Sequence, residues 1–460
     1  MDFPIFHLDY LGNRHLIAII ATLHVLINHA LAVGAAPLIT LLEWKGLRSG
    51  DQRWDHLAYK ILFVCFIVTT SVGALTGVGI WFSTSLVNPQ AIGSLIRVFF
   101  WAWFTEWIVF VSEVVLIVAY FLSWRGWGQR HKRLHILLGG LLSLFSWLTM
   151  AIIVAVLSFQ MDTGAWAVNP SLLNAALNPL YLPQLLFRTP FAMVSAGLFS
   201  LMLIFFFVKQ DREFRARAVR FTSAWIMGWS GLWLLGAFTY WRAIPEAMSH
   251  NIDVALATIP LENWSTTLSL LIIASVLALL ALSYWGLILP RRLPGVALLI
   301  PCFLSFWLLS YFERIREFVR KPDVIASYMY SNGLRHADYP LYREEGLLTH
   351  ATYSPVRFVT QDNELSAGRE MFRIACTRCH TTSGVNSVVA KLGGLYGWQS
   401  WDPVVIQNYL ASMHNTRPFM PPAPGTDEEL AALSAYLIAL RDWPSPLRGA
   451  QSHGVVLAYP

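Results

Sequence analysis

Long apolar runs constrain the fold of this chain more than any other feature. A helix needs about 20 mostly apolar residues to cross the hydrocarbon core of a bilayer. Eight such runs lie at 14–44, 56–84, 92–124, 134–158, 180–208, 216–242, 264–288 and 293–318. The chain is 56% hydrophobic and only 13% charged, against roughly 25% charged residues in soluble domains. The sequence therefore predicts an all-α, polytopic membrane helix bundle and excludes a disordered, collagen-like or nucleic-acid-binding protein.

Among the turns that join these runs, only alternate ones carry basic residues. The turns that carry Lys and Arg are 44–55, 124–133, 209–220 and 289–293, whereas the loops at 85–91, 159–179 and 243–263 contain neither. Basic loops stay on the cytoplasmic side of a membrane, so we expect a bacterial inner membrane protein with both termini in the periplasm. The start, MDFPIFHLDYLGNRH, lacks a basic n-region and a small-residue cleavage site, so the first span is expected to be retained.

A second domain is predicted after Pro322, where the composition becomes that of a water-soluble segment. We divide the chain into a transmembrane domain at 1–322, a Tyr-rich connector at 323–362, a small helical domain at 363–445 and a C-terminal arm at 446–460. The connector shows no clear periodicity.

The small domain contains the motif Cys376-Thr-Arg-Cys379-His380. Its two thiols are suited to thioether bonds with the vinyl groups of a haem, and His380 is suited to be an axial iron ligand. A zinc or redox-active site would need a second Cys/His pair or a thioredoxin-like pattern, and the sequence has neither. The motif therefore predicts a covalently bound haem.

A methionine supplies the expected sixth ligand of this haem. Met420 lies in the proline-rich segment RPFMPP, and a thioether ligand raises the reduction potential and suits iron to electron transfer. Methionine also fills gaps in ordinary cores, and Met413 and His414 are weaker alternative ligands.

Two further features surround the haem motif. Thr426 and Glu429 form a predicted capping box at the start of a helix, whose apolar face is expected to pack on the first helix of the domain. Together with Gly368-x-x-x-Phe372 before the motif, these residues resemble a class I cytochrome c. The resemblance implies one haem c, attached outside the cytoplasm, which agrees with the charge-based topology.

Ionisable side chains inside spans are costly and mark candidate functional sites. His24 and His29 lie in the first span, and Glu106 and Glu113 lie seven residues apart on one face of the third. Spans five to eight contain no histidine, which excludes bis-histidine haem sites built from those helices. One His paired with a carboxylate or water would leave iron high-spin, with an open position for a diatomic gas. His29 is interpreted as a second ligand, a proton relay or a satisfied core histidine.

The eighth span ends in a group of charged residues, Arg316, Glu317 and Arg320, before Pro322. They form either a snorkelling cap at the membrane interface or part of a haem site. In the second case Glu317 ligates or flanks the iron, while Arg316 and Arg320 bind haem propionates.

Other residues in or beside the spans have simpler expected roles. The GALTGVG run around Gly77 lets another helix or a flat cofactor approach the second span closely. Cys65 and Cys302 are expected to be small buried apolar residues. His56 and His135 lie at span ends and are expected to be interfacial.

The transmembrane domain resembles subunit I of the cytochrome bd-type oxidases over about 14–322. The resemblance rests on His24 in ATLHVLINHALAVGAAPL, on GALTGVG, on Glu106 with Glu113, and on Glu317-x-x-Arg320-x-Pro322. It implies that His24 and Glu317 are haem ligands and that Glu106 and Glu113 serve haem binding and proton delivery. It also implies one or two membrane haems of b or d type and a subunit II-like partner chain.

The sequence departs from that family where quinol would be oxidised. The expected His of span five and Met of span seven are absent, and the quinol-binding loop shrinks to PEAMSHNIDVALATIPLEN. The expected Arg-Gln-Pro-Trp becomes Arg-Lys-Pro-Asp at 320–323. We infer that the quinol module has been lost and that the appended cytochrome c domain replaces it.

The leading hypothesis is a bd-like terminal oxidase subunit that takes electrons from a periplasmic donor, such as a cytochrome c, and reduces dioxygen with cytoplasmic protons. The main alternative is a non-oxidase electron-transfer subunit of a larger respiratory complex, linking a membrane donor to haem c. A membrane anchor for a cytochrome c would need only one span, and nitric oxide reduction has the same requirement for open iron.

Overall fold

The computed structural model describes residues 4–249, 251 and 264–442. The chain divides into two units. The membrane unit contains Ala18–Trp81 and Ser94–Arg320, and the C-terminal unit contains the N-terminal segment up to Ile17, Phe82–Gly93 and the described residues from Lys321 on. The boundary at Lys321 lies beside the predicted domain end at 322, but the C-terminal unit also includes two segments from the N-terminal part of the chain.

Helices dominate the first part of the chain. They are α1 (Asn13–Ile27), α2 (Ala35–Ser49), α3 (Gln52–Val68), α4 (Ala74–Val87), α5 (Pro89–Val98), α6 (Phe100–Ser123), α7 (Trp127–Arg130), α8 (Lys132–Phe159), α9 (Leu172–Ala176), α10 (Tyr181–Phe207), α11 (Arg212–Ala243), α12 (Trp264–Ile288) and α13 (Leu299–Val319). Within the described residues, six helical stretches are long and apolar enough to cross a membrane: Asn13–Ser49, Gln52–Val87, Phe100–Ser123, Lys132–Phe159, Tyr181–Phe207 and Ser269–Ile288. They confirm a multi-pass helical membrane protein.

The predicted spans at 216–242 and 293–318 correspond to α11 and α13, which are helical but are not among those six stretches. The second half of α11 is rich in Trp, Gly and Ser, and these residues lower its mean hydropathy. The assignment of these two helices as spans therefore stays a prediction.

Each of the first two spans is interrupted by a π-helical turn. Residues Asn28–Val33 form such a turn between α1 and α2, and Thr69–Gly73 form another between α3 and α4. The two turns contact each other. Single π-helical turns within α-helices are frequent at functional sites, and these two lie within one helical turn or so of His24 and Gly77.

The four basic turns lie on one face of the membrane unit, joined by ion pairs. Arg53 contacts Asp211 at 2.9 Å, and Arg217 contacts Asp51 at 3.0 Å. The other contacts are Lys132 with Asp55 and Arg291 with Glu213. Hydrogen bonds from Arg53 hold the pKa of Asp51 at about 2, so this carboxylate is charged at neutral pH. We call this face, formed by 44–55, 124–133, 209–220 and 289–293, the basic face.

Small residues allow the central helices of the membrane unit to cross closely. A Cβ atom at Gly236 in α11 would overlap the carbonyl oxygen of Leu186 in α10, and one at Gly34 would overlap that of Ala192. Such small residues are what allow helices to approach in a bilayer. Cys65 lies buried in the resulting core, as the sequence predicts, whereas Cys302 is only partly buried and packs against that core.

From Lys321 on, the described residues of the C-terminal unit form five α-helices and a short hairpin. Its elements are β1 (Asp323–Ile325), β2 (Met329–Tyr330), α14 (Tyr339–Glu345), α15 (Glu364–Ala375), α16 (Val388–Tyr396), α17 (Pro403–Thr416) and α18 (Asp427–Asp442). The two strands are antiparallel. The predicted arm at 446–460 lies outside the described residues.

The segment predicted as a connector is packed into the core of this unit. Leu347 and Leu348 are fully buried, and their backbone N–H groups each donate to the carboxylate of Glu429 at 2.8 Å. Glu429 also completes the predicted capping box, since its N–H donates to Thr426 Oγ1 and its carboxylate accepts from the Thr426 N–H. The carboxylate that caps the start of α18 therefore also anchors residues 347–348.

Helices α15 and α18, the first and last helices of the small domain predicted at 363–445, cross at a glycine. A Cβ atom at Gly368 in α15 would overlap the carbonyl oxygen of Ala432 in α18. This crossing confirms the predicted packing of the last helix on the first. It places the end of α15, and with it the haem motif, on a fixed pair of helices.

Gly368→Ala is expected to destabilise the C-terminal unit by about 1–3 kcal/mol, because overpacking forces the two backbones apart. The measurement is the urea midpoint for the change in the haem c absorption spectrum of the full protein. Gly394→Ala in α16 is the matched control, since a Cβ atom there meets nothing within 4 Å, and alanine favours a helix by up to about 1 kcal/mol. Equal midpoints for the two variants would contradict the close crossing.

Candidate functional site

The haem motif is held in one tight turn at the end of α15. The Cys376 N–H donates to the Phe372 carbonyl at 2.9 Å, which continues the helix by one residue. The N–H groups of Cys379 and His380 both donate to the carbonyl of Cys376, at 3.0 and 2.9 Å. Both cysteines are free of disulfides. A single turn thus presents the two thiols and the imidazole together.

Hydrogen bonding fixes the orientation of the His380 ring. Its Nδ1 atom lies 3.1 Å from the carbonyl oxygen of Asn386, and the Asn386 side chain donates to the Cys379 carbonyl at 2.7 Å. An Nδ1–H group that donates to a carbonyl leaves the lone pair on Nε2, the nitrogen then available to a metal. Burial lowers the pKa of His380 to about 4, so the imidazole is neutral at neutral pH, as coordination requires.

The loop that carries Met420 is held by polar contacts. Met420 donates its N–H to the Arg417 carbonyl at 2.9 Å, and Nδ1 of His414 lies 2.5 Å from the carbonyl oxygen of Met420. Met413 packs against the core of the unit. His414 is thus used to support the loop and Met413 to fill the core, which leaves Met420 as the predicted sixth ligand.

Met420→Ala is expected to open the sixth position of haem c, so that the reduced protein binds carbon monoxide at this haem and its reduction potential falls. A carbon monoxide difference spectrum and a redox titration of the full protein measure both effects. Met413→Leu, which conserves a core side chain, should leave the c haem spectrum unchanged. A Met420→Ala protein whose c haem does not react with carbon monoxide would argue against this ligand.

A buried arginine beside the motif shows whether the surrounding residues suit a haem. Arg378 is only 5% exposed, and its Nη2 donates to Gln90 Oε1 at 3.3 Å. Among the described residues, its Nε and Nη1 atoms have no hydrogen-bond acceptor. Burial lowers its pKa to about 10, so it stays cationic at neutral pH. A haem propionate is the kind of anion that such a guanidinium binds, so these residues fit a haem.

His24, in α1, faces the second span. Its Nδ1 lies 3.1 Å from Thr76 Oγ1, and that hydroxyl itself donates to the Val72 carbonyl at 2.8 Å. The hydroxyl oxygen therefore accepts from Nδ1–H, which leaves the lone pair on Nε2, close to the Asn28 amide at 2.5 Å. A Cβ atom at Gly77 would lie 3.1 Å from the imidazole. The glycine of GALTGVG thus provides room for this ring.

His29 occupies a different position, inside the first π-helical turn. It is buried, its Nδ1 lies 2.9 Å from the Val25 carbonyl, and its ring centroid lies 5.8 Å from that of Phe191. One ring nitrogen is therefore satisfied within its own span. The roles of second ligand, relay and core residue all stay predictions.

Glu113 is bound by two hydroxyl groups of α8. Ser146 Oγ donates to its Oε1 at 2.6 Å, and Thr149 Oγ1 donates to its Oε2 at 3.1 Å. Glu106 lies about two turns earlier on the same face of α6 and is partly buried. Of the predicted pair, Glu113 is therefore anchored to α8, and Glu106 lies along the same face of α6.

The charged residues at the end of the eighth predicted span lie at the last turn of α13. Arg316 and Glu317 are partly buried, and Arg320 is 8% exposed and donates to the side-chain oxygen of Gln160. Gln160 directly follows α8. The contacts thus place Arg320 at one end of α8 and Glu113 along it, whereas His24 is bound to α4.

A buried polar cluster that was not predicted from the sequence lies near the basic face. Glu43 is fully buried, with Oε1 2.6 Å from His135 Nδ1 and 2.8 Å from Lys132 Nζ, and with Oε2 accepting from the Tyr120 hydroxyl at 2.6 Å. Lys132 also contacts Asp55. We call these five residues the Glu43 cluster.

His135 was expected to be interfacial, and the structure shows its ring fully buried inside the protein and bound to Glu43. His56 is exposed, and its interfacial position stays a prediction. Glu43 lies near the end of the predicted span 14–44, so it was a charge inside an apolar run. That signal could have identified the cluster.

A cleft of about 590 Å³ opens beside this cluster. Its lining includes Asp55, His56, Lys60, Arg125 and Gln129, and Gln129 donates to Asp55 at 2.9 Å. Asp55 thus lines the cleft and is linked through Lys132 to the buried carboxylate of Glu43.

Comparisons with known proteins agree with both units. Residues 363–437 match the family model described as cytochrome C oxidase, cbb3-type, subunit III. The chain is also similar to the solved structure of bd oxidase from Geobacillus thermodenitrificans, with a TM-score of 0.58 and 15% identity over 70% of this chain and 90% of that chain. No curated protein matches the chain.

These matches confirm the predicted combination of a membrane domain with the bd oxidase fold and a C-terminal cytochrome c domain. The chain is a multi-pass, haem-binding membrane protein with a role in electron transfer, and its cytochrome c domain supports a covalent haem c.

Proposed function

We propose that this chain is the haem-bearing subunit of a bd-like terminal oxidase, which receives electrons through haem c and reduces dioxygen at a membrane haem held by His24. The observation that carries the proposal is the His24 site, where Thr76 fixes the imidazole tautomer and Gly77 makes room beside the ring. The haems, of c type and of b or d type, would supply one-electron transfer and an open iron position for dioxygen.

Electrons would enter from a periplasmic donor such as a cytochrome c. Cys376, Cys379, His380 and Met420 would hold haem c, and Arg378 would balance its propionates. In the membrane unit, Glu317 is the candidate second haem ligand, with Arg316 and Arg320 as propionate partners. The shortened loop that argues against quinol lies outside the described residues for the most part, so this point rests on the sequence.

Reduction of one dioxygen molecule to two water molecules consumes four electrons and four protons. By the positive-inside rule the basic face is cytoplasmic, and the Glu43 cluster lies there beside an open cleft. Tyr120 of the cluster lies about two turns from Glu113 on α6, and His135 lies about three turns from Ser146 on α8. We propose that protons pass from Asp55 through Glu43 and Tyr120 to Glu113 and then to Glu106.

A second membrane chain, similar to subunit II, is the proposed partner within the lipid bilayer. Trp101, Trp107 and Val115 of α6 are 65%, 59% and 61% exposed in the chain alone. Such an apolar surface needs lipid or another helix against it.

A dithionite-reduced spectrum of the purified protein, with and without carbon monoxide, tests the proposal. The gas binds only iron with an accessible position, so an oxidase should show a carbon monoxide-sensitive band beyond that of haem c. Electrode measurements of dioxygen and nitric oxide consumption then identify the substrate. If only an unreactive c-type signal is found, the oxidase proposal fails and the chain is an electron-transfer subunit.

A further inference from the structure

The segment that precedes α1 lies against the loop that follows His380. The Asp9 carboxylate accepts the Thr382 N–H at 2.8 Å and the Thr382 hydroxyl at 2.6 Å. The Tyr10 carbonyl accepts the Val385 N–H at 2.9 Å. We call residues 5–12 the N-terminal strap and residues 381–387 the haem loop. These two segments, more than 360 residues apart in sequence, are thus joined by backbone and side-chain hydrogen bonds.

The haem loop is shaped to receive the strap. A Cβ atom at Gly384 would overlap the carbonyl oxygens and backbone of Asp9 and Tyr10, so only glycine allows this approach. Gly12 has a φ of +78° and turns the chain from the strap into α1, with Thr381 3.4 Å from its Cβ position. The contact is therefore a close fit of two backbones.

The charge state of the Asp9 carboxylate suits this residue to hold the haem loop. Burial raises its pKa, but hydrogen bonds from His7 and Thr382 outweigh burial and the pKa is lowered overall. The carboxylate is therefore ionised at neutral pH, where hydrogen bonds to a charged acceptor are stronger than those between neutral groups.

The haem loop transmits this anchoring to the His380 ring. Thr381 Oγ1 donates to the Val385 carbonyl at 2.9 Å, and Ser387 Oγ donates to the Thr382 carbonyl at 2.5 Å. The loop is thus closed on itself and presents the Asn386 carbonyl to His380 Nδ1. A hydrogen bond at this nitrogen orients a metal-bound imidazole and raises its basicity.

We propose that the N-terminal strap positions the axial ligand of haem c, with Asp9 as a positioning residue that holds the haem loop and, through Asn386, the His380 ring. Loosening the loop weakens the hydrogen bond at Nδ1, so the imidazole becomes a poorer donor and the reduced haem is favoured. This inference needs the covalent haem c but not dioxygen reduction, so either can fail without the other.

The first test is a redox titration of haem c in the full protein. With Gly384→Ala, which displaces the strap without removing a charge, we expect the reduced-to-oxidised ratio at a fixed potential to rise by about threefold to tenfold. Asp9→Ala should give a similar rise. Gly394→Ala, in open space, and Asp362→Ala, which removes an exposed carboxylate of the same unit, are the controls and should leave the ratio unchanged.

Asp9→Asn separates positioning from charge. Asparagine keeps a side-chain oxygen for Thr382, so positioning predicts a smaller shift than with Asp9→Ala. If Asn shifts the potential as much as Ala, or if Gly384→Ala has the parent potential, the proposal is overturned.

Hydrogen exchange of the unmodified protein gives a test that needs no variant. The Thr382 and Val385 amides donate to the strap, so they should exchange at least about tenfold more slowly than exposed loop amides. Exchange as fast as in exposed loops would overturn the proposal, even if the variants failed to incorporate haem.

Discussion

A His24→Ala protein is expected to keep its haem c and to lose at least about nine-tenths of the carbon monoxide-reactive absorption of the membrane domain. Changes to groups that only support a metal ligand already cost about 10–100-fold in affinity or activity, and His24 is proposed to bind the iron itself. Dioxygen consumption should fall with the same variant. Reduced-minus-oxidised spectra with and without carbon monoxide measure the two haems separately.

Two further variants are needed to interpret the result with His24→Ala. His56→Ala removes an exposed histidine beside the cleft and should leave both haem signals unchanged. Thr76→Val removes the acceptor of the His24 Nδ1–H bond and should cause an intermediate loss. Full carbon monoxide reactivity in His24→Ala would show that this histidine is not the ligand of the open haem.

Glu113→Gln is expected to slow dioxygen reduction by about a hundredfold or more while the haems stay bound. Glutamine has nearly the same shape and can still pair with Ser146 and Thr149, but it cannot accept and release a proton. Loss of a group that transfers a proton typically costs 10²–10⁴-fold. The measurement is the steady-state rate with an artificial electron donor, together with the reduced spectrum of the same sample.

Glu213→Gln is the matched control, because Glu213 is an exposed carboxylate on the basic face with a side-chain exposure of 69%. Its rate should equal that of the parent protein. If Glu113→Gln also turns over at the parent rate, Glu113 is a structural residue and the proposed route for protons must be abandoned. Glu43→Gln then shows whether the cluster near the basic face limits proton entry.

Features that depend on local sequence were predicted correctly. Apolar runs gave the helices, because the length of a spanning helix is set by the bilayer. The Cys376–His380 motif gave the cytochrome c domain, because thioether attachment and axial ligation need those residues at that spacing. The capping box at Thr426 formed as expected, since it needs only residues three apart.

Features that depend on distant residues were missed. His135 was expected at an interface, but Glu43 and Lys132 meet it in a buried cluster. The π-helical turns beside His24 and Gly77 were also missed, because the helix propensities of the residues do not predict such turns. The segment at 323–362 was predicted only as a Tyr-rich connector without clear periodicity, yet Glu429 anchors its residues 347 and 348 in the core.

The sequence by itself determined a helical membrane domain with a carboxylate pair and a histidine in its spans, followed by a cytochrome c domain. Only the tertiary structure decided which atoms face one another: Thr76 on His24 Nδ1, Ser146 on Glu113 and the N-terminal strap on the haem loop. The physical reason is the separation along the chain between the residues on which each feature depends. Hydrophobic length and motif spacing are local properties of a chain, whereas a hydrogen bond between residues 9 and 382 exists only once the intervening helices have packed.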